Sequence, residues 1–389
     1  MTEPIFISEY RNPKQERRKK LMIEIGIIVA ILIILAVVMP LALPTFRLKL
    51  LGRFLALAIV ALGIDLIWGY TGLLSLGHGI FFALGGYGIA MYLKLNGPEG
   101  PMPEFFTLYG VDQLPWFWQP FFSFPVTLIA VVLIPSLVAG IFGYLVFRNR
   151  IRGVYFSILT QAALLVFFNV FNGQQEWING TNGLKTDQDF FFGMVVNSPQ
   201  AQITFYELTI IFLLLTYALC RWLTSGRLGR ALIAIRDDET RVRFTGYNPT
   251  EFKTLVFALS GAIAGVAGAL YVPQTGIITP NIMEVAFSIE MVIWVAVGGR
   301  GTLIGAIIGA LVVNFAQTFL SEQFAEVWLF FQGALFLLVV TVLPDGLVGW
   351  FKTWLDSARS LLGLQEKLIG YPAIDKDPDI QKERQEIEH

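Results

Sequence analysis

The chain has 389 residues, of which 55% are hydrophobic and 15% charged, with 28 lysines and arginines against 29 acidic residues. That is too apolar for an ordinary soluble domain, and the apolar residues fall in runs of about twenty, the length a helix needs to cross roughly 30 Å of hydrocarbon. The lone cysteine, Cys220, excludes an intramolecular disulfide and a metal site on paired cysteines, and no Gly-x-x-x-x-Gly-Lys-[Ser/Thr] loop for cradling nucleotide phosphates occurs.

The expected fold is all-α, a polytopic membrane helical bundle of about ten spans with both termini cytoplasmic. Residues 1–20 form a basic tail, held inside by RNPKQERRKK at 11–20. The first span, about 21–43, is too long for a signal-peptide core and lacks a small-residue cleavage site. Spans follow at about 51–68 and 73–93. The loop 94–121, rich in Pro, Gly and Trp and nearly free of basic residues, belongs outside. The fourth span, about 122–147, ends in Arg148, Arg150 and Arg152, an inside marker, and the fifth covers about 153–171. A polar outer loop, 172–203, contains NGTNGLKTD, and the sixth span, about 204–223, returns inside. After a cytoplasmic stretch at 224–252 come spans at about 253–272, 285–298, 302–320 and 325–343, then a mixed-charge tail, 351–389, read as a short amphipathic stretch followed by disorder. Arg47, Lys49 and Arg53 resist this scheme, because they put basic charge on the outer side between spans one and two.

The stretch SGRLGRALIAIRDDETRVRFTGYNP, Ser225 onward, reads as a structured platform. Leu228, Leu232 and Ile235 stand at i, i+4 and i+7, giving a short helix with one apolar face, and Arg236, Asp237, Asp238 and Glu239 supply its polar surface. Gly246 is a stop signal. Asn248-Pro-Thr-Glu251 then offers a cap, a proline at the first helical position and an acidic third position. An amphipathic connector lying on the membrane is the plain alternative, but acidic Asp237, Asp238 and Glu239 gain nothing from anionic headgroups. A docking surface for another protein is the better expectation.

Gly261-Ala-Ile-Ala-Gly265 and Gly305-Ala-Ile-Ile-Gly309 are small-xxx-small faces that let helices approach closely, and Gly77, Gly79, Gly85, Gly86 and Gly88 either do the same in the third span or break it. Asp65 and Glu290 fall within predicted spans. A mid-membrane carboxylate costs roughly 3 kcal/mol, so each faces protein or water, either as an interhelical partner or on a solute path. His78, in LLSLGHGIFF beside Ser75, has no second histidine or carboxylate set near it in sequence, which argues against a metal site or nucleophilic triad. Ser75 and His78 are candidates for contacting a solute.

Four stretches together carry a resemblance: GYTGLLSLGHGIFFALGGYGIAMYL (69–93), SGRLGRALIAIRDDE, FALSGAIAGVAGALY and VAVGGRGTLIGAIIGA. The chain resembles permeases of branched-chain amino-acid-type ABC importers from about Leu50 to Trp350. More narrowly, it resembles the urea-type member, the larger of its two non-identical permeases, at RDDETRVRFTGYNP, NGTNGLKTD and SIEMVIWVAVGGRGTLIGAIIG. Thr240-Arg-Val-Arg-Phe-Thr departs from the alanine-rich stretch common in the amino-acid permeases. The resemblance implies a non-catalytic permease domain over 21–350 in a bacterial inner membrane, importing urea or a short-chain amide. It implies a homologous second permease, two cytosolic ATPases that use ATP and Mg, and an extracytoplasmic solute-binding protein as partners, with no cofactor in this chain and no nucleic acid. It also implies that the platform engages an ATPase and that 72–90 contributes to the path. The alternatives are an amino-acid importer of the same type and an ion-coupled secondary transporter using Asp65 and Glu290.

Overall fold

The computed structural model describes residues 33–100, 102–324, 330, 333–334, 337, 341 and 346–361. Most of the first predicted span, the tenth span and the tail beyond Leu361 lie outside the described residues. The main helices are α1 (Thr45–Thr71), α2 (His78–Leu95), α3 (Phe124–Arg148), α4 (Val154–Gly173), α5 (Pro199–Ser225), α6 (Arg227–Phe244), α7 (Pro249–Thr275), α8 (Val285–Gly298), α9 (Leu303–Gln323) and α10 (Gly346–Leu361). Six of them, α1, α3, α4, α5, α7 and α9, are long and apolar enough to cross a membrane. The chain is a polytopic helical membrane bundle.

The centre of the bundle is α1. It is buried on every face from Phe54 to Ile67, as a helix apolar all round must be. Against it lies α7, whose small residues bring backbones together. A Cβ on Gly85 of α2 would collide with the Gly265 backbone, and one on Gly261 would meet Ala139 of α3 at 2.6 Å. The second small-residue face does the same for α8 and α9, where Gly305 and Gly309 lie on the backbone of Gly298 and Trp294. In lipid such close approach replaces the hydrophobic drive that water would supply.

The chain runs between two ends. At one, Arg148, Arg150 and Arg152 join α6 and the turn 299–302, which makes it the cytoplasmic end by the positive-inside rule. At the other, the two long loops meet. Trp118 Nε1 donates to Trp177 O at 3.0 Å, Lys94 bridges Glu99 at 3.0 Å and Asp189 at 3.4 Å, and Leu184–Lys185 pairs with Ile277–Ile278 as a two-residue antiparallel ladder. A second such ladder joins Phe190–Phe191 to Met194–Val195. These are small departures from an all-α chain.

The basic cluster that resisted the sequence scheme belongs to the outer end of α1, which begins earlier than expected. Lys49 donates to Asn197, and Arg53 donates to Tyr271 OH at 3.2 Å while lying over its ring. The helical stretch before α1 packs on α5, with Tyr206 OH donating to Leu35 O at 2.8 Å.

The third predicted span, 73–93, is corrected. Helix starts only at His78, and 72–77 is non-helical, running from the cytoplasmic end into the bundle. Gly72 causes the break. It closes α1 with φ 74° and donates to Trp68 O at 3.0 Å, a left-handed cap that glycine adopts without strain. The same device recurs upside down. Both α1 and α7 have 27 residues, and α7 ends on Gly276 at φ 80° with its N–H on Val272 O at 2.8 Å. A non-helical link and a further helix follow each, and α7 runs outward where α1 runs inward. Both central helices thus end on a left-handed glycine, at opposite ends of the bundle.

Candidate functional site

The first candidate site is the break at 72–77. Non-helical backbone buried within the bundle needs partners, and side chains of neighbouring helices supply them. Ser157 of α4 donates to Leu74 O at 2.7 Å, Leu76 N donates to Thr160 Oγ at 3.0 Å, and Gly77 N donates to Ser75 Oγ at 3.3 Å. Gly79 N reaches Ser288 of α8 at 3.4 Å. Ser75 is thus buried and bound to its own turn.

His78 starts α2 and is 1% exposed. Its Nε2 lies 2.7 Å from Ser260 Oγ, and that hydroxyl donates to Gly63 O at 2.6 Å. A hydroxyl has one proton, so Ser260 accepts from the ring and the ring proton belongs on Nε2. Nδ1 is buried without a partner, and the ring sits edge-on to Phe81 and Phe257 at 5.6 and 5.9 Å. His78 therefore ties the start of the broken helix to both central helices, α7 through Ser260 and α1 through Gly63.

Asp65 points elsewhere. Its Oδ1 accepts from Gly301 N at 2.7 Å, fastening α1 to the α8–α9 turn, and Arg300 lies over Trp68 at 5.5 Å. Glu290 is half-buried on α8, one residue from exposed Ile289. The structure therefore places Ser75 and His78 in one neighbourhood, and Asp65 at the cytoplasmic junction.

The second candidate site is the platform. The expected helix forms but is kinked at Asp238, whose φ of −155° and ψ of 96° are not helical. The cause is a side-chain cap, with Asp238 Oδ1 accepting from Thr240 N at 2.9 Å and Arg241 N at 3.2 Å. The apolar stripe faces the bundle, since Leu232 is 0% and Ile235 4% exposed. Glu239 departs from the expected polar surface as well, because it is buried at the centre of a cation cluster. Arg243 donates to it at 2.7 Å and Lys253 of α7 at 3.1 Å, with Arg152 at 3.9 Å. Burial pushes the Glu239 carboxyl up, but the Arg243 hydrogen bond and the Lys253 ammonium outweigh it and hold it below the usual carboxylate range. The face left to solvent carries Arg227, Arg230, Asp237, Thr240 and Arg241, and beyond them Phe244 at 87% and Tyr247 at 61% exposure. Arg236 lies at the edge of that face, its side chain 38% exposed, with Nη1 donating to Gly69 O of α1 at 2.8 Å.

Sequence reasoning missed Ser260, Ser157, Thr160 and Ser288, which are single hydroxyls in apolar runs, and the Glu239 cluster. A signal for the cluster existed: Lys253 is charged at the start of an otherwise uncharged span, and a charge placed so needs a partner. The Asn248 cap was legible, and its Oδ1 accepts from Thr250 N at 3.2 Å.

The fold is a membrane bundle with a non-helical link beside its central helices and a polar platform fixed to its core, which suits a membrane transport subunit. The branched-chain amino acid transport system / permease component family matches residues 46–340, and the chain belongs to it. It is similar to the high-affinity branched-chain amino acid transport system permease protein LivM of Salmonella typhimurium, 26% identical over 339 residues, 82% of this chain and 73% of that protein. It is also similar to the permease protein BraD of the same kind of system in Pseudomonas aeruginosa, 25% identical over 312 residues, 75% of this chain and 91% of that one. The ribose import permease protein RbsC of Haemophilus influenzae is 24% identical over 232 residues, 57% of this chain and 68% of that protein. No solved structure matches the chain. The chain is thus a permease component of an ABC importer, a multi-pass inner-membrane transport subunit and not an enzyme. Such permeases work with ATPase and solute-binding partners. The relatives' names favour the amino-acid alternative over urea.

Proposed function

We propose that this chain forms half of the path through which an ATP-driven importer takes up a small nitrogenous solute, with a branched-chain amino acid as the first reading. The observation that carries the transport reading is the non-helical break at 72–77, held by hydroxyls of α4 and tied through His78 to both central helices. The relatives' names support the solute class. On this reading a homologous permease faces the surface where α4 and α8 meet over Gly79, with exposed Asn169 and half-buried Glu290 beside it. Cytosolic ATPases that bind ATP and Mg seat on the exposed face of α6, with Phe244 as apolar anchor and Arg230 and Arg241 setting register. A binding protein delivers solute at the outer end.

Urea or a short-chain amide is the second reading, and a specific observation favours it. The side chains gathered at the break are hydroxyls and an imidazole, which suit a neutral hydrogen-bonding solute, whereas a zwitterion meets a larger desolvation cost there. The sequence resemblance of the platform and outer loop points the same way. Uptake of labelled leucine and labelled urea by cells with and without the gene decides between them. Loss of leucine uptake alone supports the first reading, and loss of urea uptake alone supports the second. Loss of neither refutes both.

A further inference from the structure

The platform is fixed to the bundle at two points of different character. One is the buried Glu239 cluster, which reaches α7 and the α3–α4 turn. The other is a single side chain, Arg236, which leaves the platform and reaches the last turn of α1. Its Nη1 donates to Gly69 O at 2.8 Å, while its stem covers Gly72, so that a Cβ on Gly72 would lie 3.1 Å from Arg236 Cγ. Asp237 Oδ1 steadies the guanidinium at Nε, 3.4 Å away.

The place it touches matters. Gly69 O is among the carbonyls that a helix end leaves without intrahelical partners, and a cation there also meets the negative end of the helix dipole. Three residues on, Gly72 holds the left-handed conformation that turns the chain out of α1 and into the non-helical link. From there the backbone runs through Ser75 to His78 with no intervening helix. The opposite side of the same turn is held separately, by Gly301 N on Asp65.

We infer that Arg236 is the positioning residue that carries displacement of the platform to the hinge at Gly72, and so to the broken helix lining the path. The inference rests on the proposed docking of an ATPase to the exposed face of α6. It assigns Arg236, part-exposed as it is, the role of transmitting through its contact with Gly69 O and not that of binding the ATPase. Glu239 holds the platform in place, and Arg236 links it to the moving part.

The test uses the complete importer reconstituted in liposomes, with ATP hydrolysis and uptake of the transported solute measured on the same preparation. Arg236→Met keeps the stem over Gly72 and removes the donors. Uptake per ATP hydrolysed is expected to fall at least tenfold, with hydrolysis within about twofold of wild type and the ATPases still copurifying. Arg236→Lys keeps the charge and an ammonium donor but not the planar guanidinium fork, and is expected to fall between the two. It carries the test if Arg236→Met does not reach the membrane, and a wild-type ratio in it then overturns the inference. A wild-type ratio in Arg236→Met overturns it directly. Loss of ATPase copurification in Arg236→Met also overturns it, since the residue then belongs to the docking surface. A separate arm, Arg230→Glu with Phe244→Asp, tests the docking reading itself, which fails if the ATPases still copurify with that variant.

Discussion

Replacing Glu239 with glutamine tests how the platform is held. The carboxylate is 7% exposed and pairs with Lys253, 1% exposed, whose Nζ also lies 4.9 Å from the Phe147 ring. Glutamine keeps the size and a hydrogen-bond acceptor for Arg243 but leaves the Lys253 ammonium buried without a counter-charge. Removing one member of a buried pair costs about 3–5 kcal/mol. The lower figure applies here, because Arg243 and Arg152 are 31% and 57% exposed and are eased by solvent. About 3 kcal/mol corresponds to a local opening on the order of 100-fold more frequent. Hydrogen exchange of the purified permease, read on peptides covering 239–248, measures that opening. Adding Lys253→Met removes the stranded charge at similar volume, and exchange in the double variant should return to within about tenfold of wild type. If the Glu239→Gln single variant exchanges like wild type, the cluster does not anchor the platform and the argument fails.

Further outcomes follow from other parts of the bundle. Ser260→Ala strands His78 Nε2 and removes the second donor to Gly63 O, so it should lower thermal stability by about 1–3 kcal/mol, whereas Ser288→Ala, at a 3.4 Å contact, should cost less; melting of the two variants in nanodiscs compares them. Burial pushes the Asp189 carboxyl up to about 6 against the opposing Lys94 charge. The folded form thus holds its proton more tightly than the unfolded one, and this stabilisation is full below the ordinary aspartate range and lost as pH rises through about 6. Melting should therefore be lower at pH 7.5 than at pH 5, and Asp189→Asn should narrow the gap. Gly265→Leu would drive a side chain into Val131 O and Pro135 and should abolish the monodisperse permease peak on size exclusion, while Gly173→Ala, with open space around it, should leave the peak unchanged.

Much of the bundle was legible because lipid imposes simple rules. Apolar runs of helical length gave most of the described spans, and the small-residue faces marked their closest contacts. What was not legible depended on single residues whose partners are distant in sequence. Gly72 reads like any other glycine in a glycine-rich run, and only its left-handed geometry shows that the helix stops there. Leu232 and Ile235 showed an apolar stripe, but periodicity does not say whether a stripe faces the protein's own core or a partner, and here it faces the core. Asp238 carried the signal of a cap, a carboxylate followed by polar helix formers, yet it sits between two other acids and so reads as surface charge. Glu239, next to it, is buried because Lys253 of α7 and Arg152 of the α3–α4 turn join Arg243 of its own helix around it; Lys253 hinted at a partner, but its spacing in sequence did not say which.

The central claim is that this chain moves solute only as the permease of an ATP-driven assembly coupled through its platform. The most direct measurement is solute uptake into liposomes holding the permease pair with and without the ATPase subunits, with binding protein outside and ATP inside. Uptake that requires both ATPase and ATP, and that an imposed proton or sodium gradient cannot replace, is the predicted result. Gradient-driven uptake by the permeases alone would contradict it and would return Asp65 and Glu290 to the centre of an ion-coupled mechanism.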